Sequence, residues 1–450
     1  MYLLYSLLLT FGVVLLIPKF VIDALRSGKY VTGLRQRLGN LPRIDAKGRP
    51  VIWLHCVSVG EVQAAQSLVR SLSQTFPNFA LVISTTTVTG QQIARKMFRD
   101  DAVAIFYFPI DWAWTVRRVL RAVNPTAILI METELWPRLF LEARRRAIPL
   151  ALLNGRISAA SFRRYKLIRP FIARVLSNLT LAVMQSGKDA ERIRELGMRD
   201  ERIAVSGNLK FDRASVSANQ NVISEIRDRF NFADGRPLII AASTHDPEEA
   251  VVLDAFRKVR QSYATARLLL APRHPERFAE VAELINASEF SGARRSAFTT
   301  SDDSGADIVL LDSIGELGTV YPLADIAFVG GSITPHGGHN VIEPAAHGVC
   351  TITGPHTQNF SAITNAMLAE DALIQLPNAP EAAAELANAL DELLSDNNRR
   401  REIGRRARAV CERNRGATER TIELVSQILA TSGQAAHQVS FSAIHATAAK

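Results

Sequence analysis

A carboxylate follows the first short apolar run in the body of the chain, in the stretch HCVSVGE at residues 55–61. Ser58 and Glu61 stand three residues apart before a helical pattern, which is the spacing of a capping box. The position also suits catalysis, because Gly60 lets a ligand approach the backbone and an ionised carboxylate accepts a proton from a hydroxyl. The helix dipole is expected to hold Glu61 ionised. Cap and general base both stay open for Glu61.

Two more carboxylates, Glu132 and Glu134, follow the apolar run AILIM in the stretch METELWP. Side chains alternate along a strand, so at most one of the two points into a given site. A carboxylate at a strand end is costly unless it is solvated, paired or functional. Catalysis and a salt bridge are equally open for this pair.

A basic stretch without one acidic residue occupies positions 154–174. A solvated helix face is the usual explanation for a run of charges, but the lack of interleaved acids makes an anion-binding face an equal alternative. The charged residues are Arg156, Arg163, Arg164, Lys166, Arg169 and Arg174.

Phosphate-type signals lie in the second half of the chain. In APRHPERF, Arg273 and His274 stand between a strand pattern and a helix pattern, which suits a phosphate held by a guanidinium and helix N-terminal amides. In GGSITPHGGHNVIEP, residues 330–344, four glycines are expected to expose backbone N–H groups, and Glu343 suits a ribose diol. The alternatives are a turn for the glycines and a helix cap for Asn340.

Other nucleotide sites and metal sites do not fit this glycine-rich loop. Its glycines match neither GxGxxG nor GxxxxGK[ST], which argues against a dinucleotide dehydrogenase and a P-loop nucleoside triphosphatase. His336 and His339 flank two glycines, but no HExxH pattern or cysteine partner accompanies them. We therefore expect no metal and no cofactor.

The elements that position these loops alternate along the chain. From residue 51, short apolar runs, small polar loops and helical stretches follow one another, and the pattern restarts after a connector without strand signal. Such alternation predicts parallel strands with crossover helices, here as two doubly wound, Rossmann-like α/β domains facing a cleft. Parallel sheets bind ligands beyond the carboxyl ends of their strands, where the loops above lie.

The same patterns give domain boundaries. We predict a membrane-anchor helix at 1–25, an N-terminal Rossmann-like domain at 26–207, a linker at 208–236, a C-terminal Rossmann-like domain at 237–431, and a disordered tail at 432–450.

The anchor prediction rests on residues 1–17, which carry no charge and approach the length that spans a bilayer. Basic residues follow, so the positive-inside rule places the body in the cytoplasm. The anchor either spans the bilayer or lies along its interface. A buried N-terminal helix is the alternative, which Pro18 keeps open.

Charge is distributed unevenly along the 450 residues. Residues 1–220 contain 32 Lys and Arg against 15 Asp and Glu, a net charge of +17, whereas residues 221–450 contain 21 against 29, a net charge of −8. The basic half predicts an anionic partner. The three cysteines, Cys56, Cys350 and Cys411, are far apart in sequence and form no disulfide or metal pattern, which suits a reducing compartment.

The motifs, taken in order, resemble those of one enzyme family. WLHCVSVGE, METELWP, NGRIS, GNLKFD, APRHPERF, IGELG and GGSITPHGGHNVIEPAAHG follow an apolar start, and the resemblance runs to about residue 425. Each motif alone is weak, but the ordered set is specific. It resembles the 3-deoxy-D-manno-octulosonic acid (Kdo) transferases of lipid A assembly. That family has the GT-B glycosyltransferase fold and uses CMP-Kdo without a catalytic metal.

The resemblance implies roles for residues at matching positions. Glu61 becomes the catalytic base, and Glu132 and Lys210 become groups that stabilise the transition state. In that role we expect Glu61 to turn its carboxylate toward the cleft and to leave Ser58 to cap the helix alone. The implied CMP contacts are Pro272, Arg273, Gly315, Glu316, Leu317, Asn340, Val341, Ile342 and Glu343.

The expected function is inverting transfer of Kdo from CMP-Kdo to a sugar hydroxyl of the lipid A precursor in lipopolysaccharide core biosynthesis. The expected partners are the donor, the lipid acceptor and the anionic surface of the inner membrane, with the catalytic domains on its cytoplasmic side. Two alternatives stay open: another GT-B enzyme acting on a UDP-sugar, and a non-catalytic membrane protein that binds anionic lipid. A nucleic-acid partner is not expected, because no recognition motif is present.

Overall fold

The computed structural model describes residues 1–27, 33–213 and 220–431. The chain divides into two compact units, each described by itself below. Of the described residues, the N-terminal unit comprises 1–27, 33–213 and 416–431, and the C-terminal unit comprises 220–415.

The N-terminal unit is built on a seven-stranded parallel sheet with the order β3-β2-β1-β4-β5-β6-β7. The strand order reverses between β1 and β4, and this reversal is the switch point of a doubly wound fold. The strands are β1 Val51–Cys56, β2 Ala80–Thr85, β3 Ala104–Tyr107, β4 Pro125–Met131, β5 Leu150–Gly155, β6 Leu181–Met184 and β7 Ile203–Val205.

Helices cover both faces of this sheet, so its strands are buried on both sides and read as continuous apolar runs. The helices are α1 Tyr2–Ser27, α2 Leu34–Arg37, α3 Val59–Ala64, α4 Gln66–Thr75, α5 Val88–Met97, α6 Ala113–Val123, α7 Pro137–Arg145, α8 Ala159–Leu167, α9 Arg169–Leu176, α10 Gly187–Glu195 and α11 Lys210–Arg213.

The C-terminal unit repeats this plan with a second seven-stranded parallel sheet of order β10-β11-β9-β8-β12-β13-β14. Its switch point lies between β8 and β12. The strands are β8 Leu238–Thr244, β9 Arg267–Pro272, β10 Gly292–Arg294, β11 Ile308–Leu310, β12 Ile326–Val329, β13 Cys350–Thr353 and β14 Ile374–Gln375. The helices are α12 Gln220–Arg229, α13 Glu248–Ser262, α14 Phe278–Asn286, α15 Leu317–Val320, α16 Ile342–Ala346, α17 Ser361–Leu368, α18 Ala382–Ser395 and α19 Asn397–Asn414.

The last helix, α20 (Ala417–Thr431), belongs to the N-terminal unit, where it packs on α4 and α11. The Asp212 carboxylate accepts hydrogen bonds from the backbone N–H groups of Gly416, at 2.9 Å, and Thr418, at 2.6 Å. The predicted C-terminal domain at 237–431 wrongly included this helix. An amphipathic pattern shows that a helix buries one face, but it does not show which core receives that face.

The predicted linker at 208–236 is also corrected, because it contains parts of both units. Leu209 is buried in the core of the N-terminal unit, whereas Ile226 and Phe230 are buried in the core of the C-terminal unit. The predicted tail at 432–450 lies outside the described residues, as do residues 214–219 between α11 and α12.

Helix α1 packs on the N-terminal unit through one face. The Tyr5 hydroxyl donates to the Asp111 carboxylate at 3.0 Å, and the Arg138 guanidinium donates to the Ser6 hydroxyl and the Tyr2 carbonyl, each at 2.8 Å. Large apolar side chains on other sides of the helix are exposed to solvent. They are Leu3, Leu4, Leu7, Leu8, Phe11, Val14 and Leu15.

The predicted anchor at 1–25 falls on this helix. Within residues 1–27, 33–213 and 220–431, no helix combines the length and the apolar character that crossing a membrane requires.

Candidate active site

The Glu61 carboxylate lies at the start of α3, directly after β1, and it is 5% exposed. Ser58 is the N-cap of α3 and accepts a hydrogen bond from the Glu61 N–H at 3.4 Å. The carboxylate folds back on the same loop, where it accepts from the Val57 N–H at 2.7 Å and from the Ser58 hydroxyl at 3.0 Å. The expectation that Ser58 caps alone is therefore wrong, because the side chains of both residues take part in the turn.

Glu61 belongs to a group of three mutually repelling carboxylates at the switch point of the N-terminal sheet. Burial, and next the charge of Glu132, raise the pKa of Glu61 to about 8, against the lowering effect of the Val57 and Ser58 hydrogen bonds. Burial and the same Glu132 charge raise the pKa of Glu134 to about 7. The expectation that the helix dipole holds Glu61 ionised is therefore wrong, because burial and like charge outweigh the dipole.

The backbone directly after β4, which carries Glu132 and Glu134, has an unusual conformation. Glu132 has a φ of 54°, a left-handed conformation that few residues other than glycine adopt, and its N–H donates to the Leu153 carbonyl at 2.9 Å. Thr133 and Arg156 are joined through the Thr133 hydroxyl and the Arg156 backbone. The METELWP and NGRIS loops are thus fixed to each other.

Lys210 reaches the same carboxyl edge of the sheet from the loop after β7. Asn154, which is fully buried at the end of β5 with a φ of 54°, accepts from the Leu209 N–H through its Oδ1 at 3.1 Å. The Lys210 N–H donates to the Asn208 side chain at 3.0 Å. These contacts hold the GNLKFD loop against the NGRIS loop. They fix the backbone of Lys210, which is the first residue of α11.

The basic stretch at 154–174 runs from the end of β5 through α8 and into α9. No residue of α8 is buried, whereas α9, which carries Arg169 and Arg174, buries Ile172. Lys166 pairs at 3.2 Å with Glu195 of α10, so one positive charge of the stretch has an acidic partner. Tyr165 approaches the carboxylate group, since burial and next the charge of Glu134 raise the pKa of Tyr165. Leu167, at the end of α8, is 85% exposed.

The glycine-rich loop of the C-terminal unit follows β12 and meets the loop after β8. Glu248, the first residue of α13, is fully buried, and its carboxylate accepts four backbone hydrogen bonds. The donors are the N–H groups of His245 at 3.0 Å, Gly331 at 2.6 Å, Ser332 at 2.8 Å and Ile333 at 2.8 Å. The expectation that the four glycines expose their N–H groups is therefore wrong for Gly331. It is also wrong for Gly330 and Gly338, whose N–H groups donate to the Ala242 carbonyl at 2.8 Å and to the Gly331 carbonyl at 2.7 Å.

Two of the three groups of implied CMP contacts, 315–317 and 340–343, are neighbours in space. The Asn340 side-chain N–H donates to the Glu343 carboxylate at 2.9 Å, and the Asn340 Oδ1 accepts from the Ile342 N–H at 3.1 Å. Gly318, directly after Leu317, lies beside Glu343, because a Cβ on this glycine would stand 3.9 Å from the Glu343 carboxylate. The IGELG and NVIE motifs are thus adjacent in space, with Val341 and Ile342 buried beneath them.

Glu316 has a structural partner. Its carboxylate accepts two hydrogen bonds from the Arg295 guanidinium, at 3.0 and 2.9 Å, and one from the Ser313 hydroxyl, at 2.5 Å. These bonds lower the pKa of Glu316 against the effect of its burial. The Glu316 carboxylate is thus already hydrogen-bonded, and the group available to a ligand beside it is the backbone of the turn at Gly315, whose φ is 91°.

Arg273 follows β9, where its N–H donates to the Thr244 carbonyl at 2.9 Å and its side chain is exposed, while Pro272 is buried. The sequence patterns did not identify His245 and Glu248 as residues of this ligand-binding edge. The stretch THDPEE, directly after the apolar run of β8, could have indicated them, because it follows a strand end at the same sheet edge as APRH. Among the described residues, no group of three or more His, Cys, Asp or Glu is arranged to hold a metal ion.

Comparison with known proteins places the chain in a family. The profile of the 3-deoxy-D-manno-octulosonic-acid transferase (kdotransferase) family matches residues 32–213. The chain is 35% identical over 407 residues to the 3-deoxy-D-manno-octulosonic acid transferase of Haemophilus influenzae, covering 90% of this chain and 93% of that protein. The chain belongs to the Kdo transferase family. The enzyme of the same name from Bordetella pertussis is also 35% identical, over 84% of this chain and 87% of its own.

Solved structures share the fold of this Kdo transferase family member. The UDP-GlcNAc 2-epimerase of Neisseria meningitidis, solved with UDP-GlcNAc, has a TM-score of 0.55 over 84% of this chain and 100% of its own, at 10% sequence identity. The likeness concerns the fold alone, two parallel-sheet α/β domains that resemble those of GT-B glycosyltransferases. The individual site residues keep their implied roles as predictions.

Proposed function

We propose that the protein transfers Kdo from CMP-Kdo to a sugar hydroxyl of a lipid A precursor, with inversion and without a metal. The observation that carries the proposal is the buried Glu61 carboxylate beside two further acids at the switch point of a Kdo transferase family member. A carboxylate with a pKa of about 8 is a stronger base than an ordinary glutamate. Its pKa lies near the range in which a general base works best at neutral pH.

In this reaction the Glu61 carboxylate removes the proton of the acceptor hydroxyl. The hydroxyl oxygen forms a bond to the anomeric carbon of Kdo, and the bond between that carbon and the CMP phosphate oxygen breaks. The electron pair leaves with CMP. Lys210 at the start of α11 supplies positive charge near the reacting groups, and Glu132 faces the positive charge that develops on the sugar ring.

The donor is proposed to bind in the C-terminal unit at the carboxyl edge of its sheet. Glu343, held by Asn340, is placed to accept hydrogen bonds from the ribose, and the turn at Gly315 offers backbone groups to the base. Arg273 neutralises part of the charge on the leaving phosphate. These groups replace the divalent cation that other nucleotide-sugar enzymes use, so we expect full activity in EDTA.

The acceptor is a lipid, and two features of the N-terminal unit support work at a membrane surface. The exposed apolar side chains of α1 form a surface suited to the headgroup region of a bilayer. Helix α8 adds Arg163 and Arg164 beside the exposed Leu167 and Ile168, a combination that suits an acceptor with phosphates and acyl chains. We propose that α1 anchors the enzyme to the cytoplasmic face of the inner membrane.

The test is incubation of the purified full-length protein with CMP-Kdo and lipid A precursor, with product masses as the readout. We expect a mass increase of Kdo units and the release of CMP. Glu61→Gln should lower the rate by about 10²- to 10⁴-fold, whereas Glu191→Gln, at an exposed glutamate of α10, should not change it. Inhibition by UDP but not by CMP, with no Kdo transfer, would instead support an enzyme that acts on a UDP-sugar.

A further inference from the structure

Four imidazoles crowd together at the switch point of the C-terminal sheet. The Nε2 atoms of His245, after β8, and His339, after β12, are 2.7 Å apart. The ring of His336 stacks on His245 at 4.3 Å between centroids, and the ring of His274 stands edge-on to it at 5.0 Å. We call these four residues the histidine cluster. The cluster lies where doubly wound domains bind their ligands.

Charged groups of both signs surround the cluster. Arg273 repels both His245 and His339, and burial lowers the pKa of His339 to about 3 with help from its histidine neighbours. Glu248 is the acid that faces His245, but its two oxygens are engaged by four backbone N–H groups. Asp246, beside His245, is 3.7 Å from Arg277, which also pairs with Glu249. The Glu248 charge raises the pKa of His245, but burial, the neighbouring histidines and Arg273 outweigh it, so the net effect of the surroundings disfavours the charged form of His245.

The contact between His245 and His339 limits how much charge the pair can hold. A hydrogen bond between two Nε2 atoms needs one donor nitrogen and one acceptor nitrogen, so the acceptor ring must be neutral. While the contact persists, the pair can carry at most one positive charge. It can therefore gain one proton when an anion arrives, without any movement of the rings.

We propose that the histidine cluster, together with Arg273, holds the phosphate of the cytidine nucleotide, and that the cluster takes up a proton when the nucleotide binds. This inference rests on the proposed function, since it assigns the phosphate subsite of that donor. A bound phosphate adds negative charge beside two rings whose pKa burial and Arg273 lower, and His336 and His274, both exposed, can reach it as further donors. During transfer, the gained proton offsets the charge that develops on departing CMP.

Isothermal titration calorimetry of the full-length protein tests this inference. CMP is titrated at pH 7 in buffers of different ionisation enthalpy, which gives the number of protons taken up on binding. Because a phosphate monoester has a second pKa of about 6, its own titration releases protons at a cationic site and cannot produce uptake. We expect uptake approaching one proton, and CMP affinity that strengthens up to about tenfold from pH 8 to pH 7. Cytidine, which lacks the phosphate, should bind without proton uptake.

One test variant and one control variant show whether the proton uptake occurs at the histidine cluster. His339→Gln keeps a hydrogen-bonding group near the Nε2 position but cannot be protonated, so it should abolish the uptake and weaken CMP binding by about ten- to a hundredfold. His347→Gln, at a half-buried histidine beside Arg408, should retain both values. CMP binding without proton uptake in the unmodified protein overturns the inference and leaves the proposed function standing. No CMP binding at any pH overturns both.

Discussion

Replacement of Glu61 by glutamine separates the role of a general base from that of a helix cap. The glutamine carbonyl can accept from the Val57 N–H and its amide can donate to the Ser58 oxygen, so the turn before α3 should remain folded. The variant removes one titrating group from a buried site. Its stability and its activity should therefore change in ways that a cap alone does not predict.

The stability effect follows from the raised pKa. The carboxyl of Glu61 loses its proton at about 8 in the folded protein, against 4.5 as the ordinary value. Between these pH values the unfolded chain is ionised while the folded protein keeps the proton, so the free energy of unfolding falls by about 1.4 kcal/mol for each pH unit. The contribution is complete below pH 4.5 and lost once the pH has risen through 8. In Glu61→Gln the side chain does not titrate, so this part of the free energy of unfolding should not fall as the pH rises.

Urea unfolding of the wild type and Glu61→Gln at pH 5.5, 6.5 and 7.5 measures the difference. The variant should gain stability relative to the wild type as the pH rises, by a few kcal/mol in total. In parallel, wild-type kcat/KM for Kdo transfer should fall about tenfold per pH unit below 8, because only ionised Glu61 accepts a proton. A stability difference that stays constant with pH would falsify the assigned protonation. Undiminished transfer by a folded variant would rule out the base.

Three further changes test neighbouring features of the molecule. Glu134→Gln removes a negative charge that raises the pKa of Glu61, so the pH at which kcat/KM begins to fall should become lower while transfer persists. An unchanged pH profile would show that Glu134 does not affect the pKa of Glu61. Glu248→Ala leaves four backbone N–H groups without their acceptor, so unfolding monitored by urea should require about 3 kcal/mol less free energy, and CMP binding should be lost with it. Leu8→Glu on α1 should weaken binding to anionic vesicles about tenfold or more in co-sedimentation, whereas Phe298→Glu, at a 97% exposed residue of the other unit, should not.

The sequence was sufficient to predict the repeating features of the fold. Strand and helix alternation predicted two doubly wound domains, and the strand ends predicted which loops share a sheet edge. The alternation did not predict that α20 returns to the N-terminal unit, because its amphipathic pattern fits either core equally well. The boundary at Asp212 depends on a carboxylate that binds the backbone at Gly416 and Thr418, a contact between residues about two hundred positions apart.

Within the candidate site, the sequence patterns predicted which loops share a sheet edge but not the protonation of their residues. Ser58 and Glu61 were correctly placed at a helix start, yet the pKa of Glu61 depends on burial and on Glu132, which is distant in sequence. The histidine cluster was missed for a similar reason. His245 and His339 stand 94 residues apart, and only the pairing of β8 with β12 brings their rings together.

The two units place a glutamate at the same point of the same fold and surround it differently. Glu61 and Glu248 both stand in the first turn of the helix that follows the first strand of their sheets, and both bond back to the loop before them. Glu248 has four backbone donors for its two oxygens, so its carboxylate holds the shape of the loop. Glu61 has one backbone donor, one hydroxyl and two repelling carboxylates. The N-terminal unit therefore leaves its glutamate with fewer donors and with like charges nearby, which is the environment that the proposed general base requires.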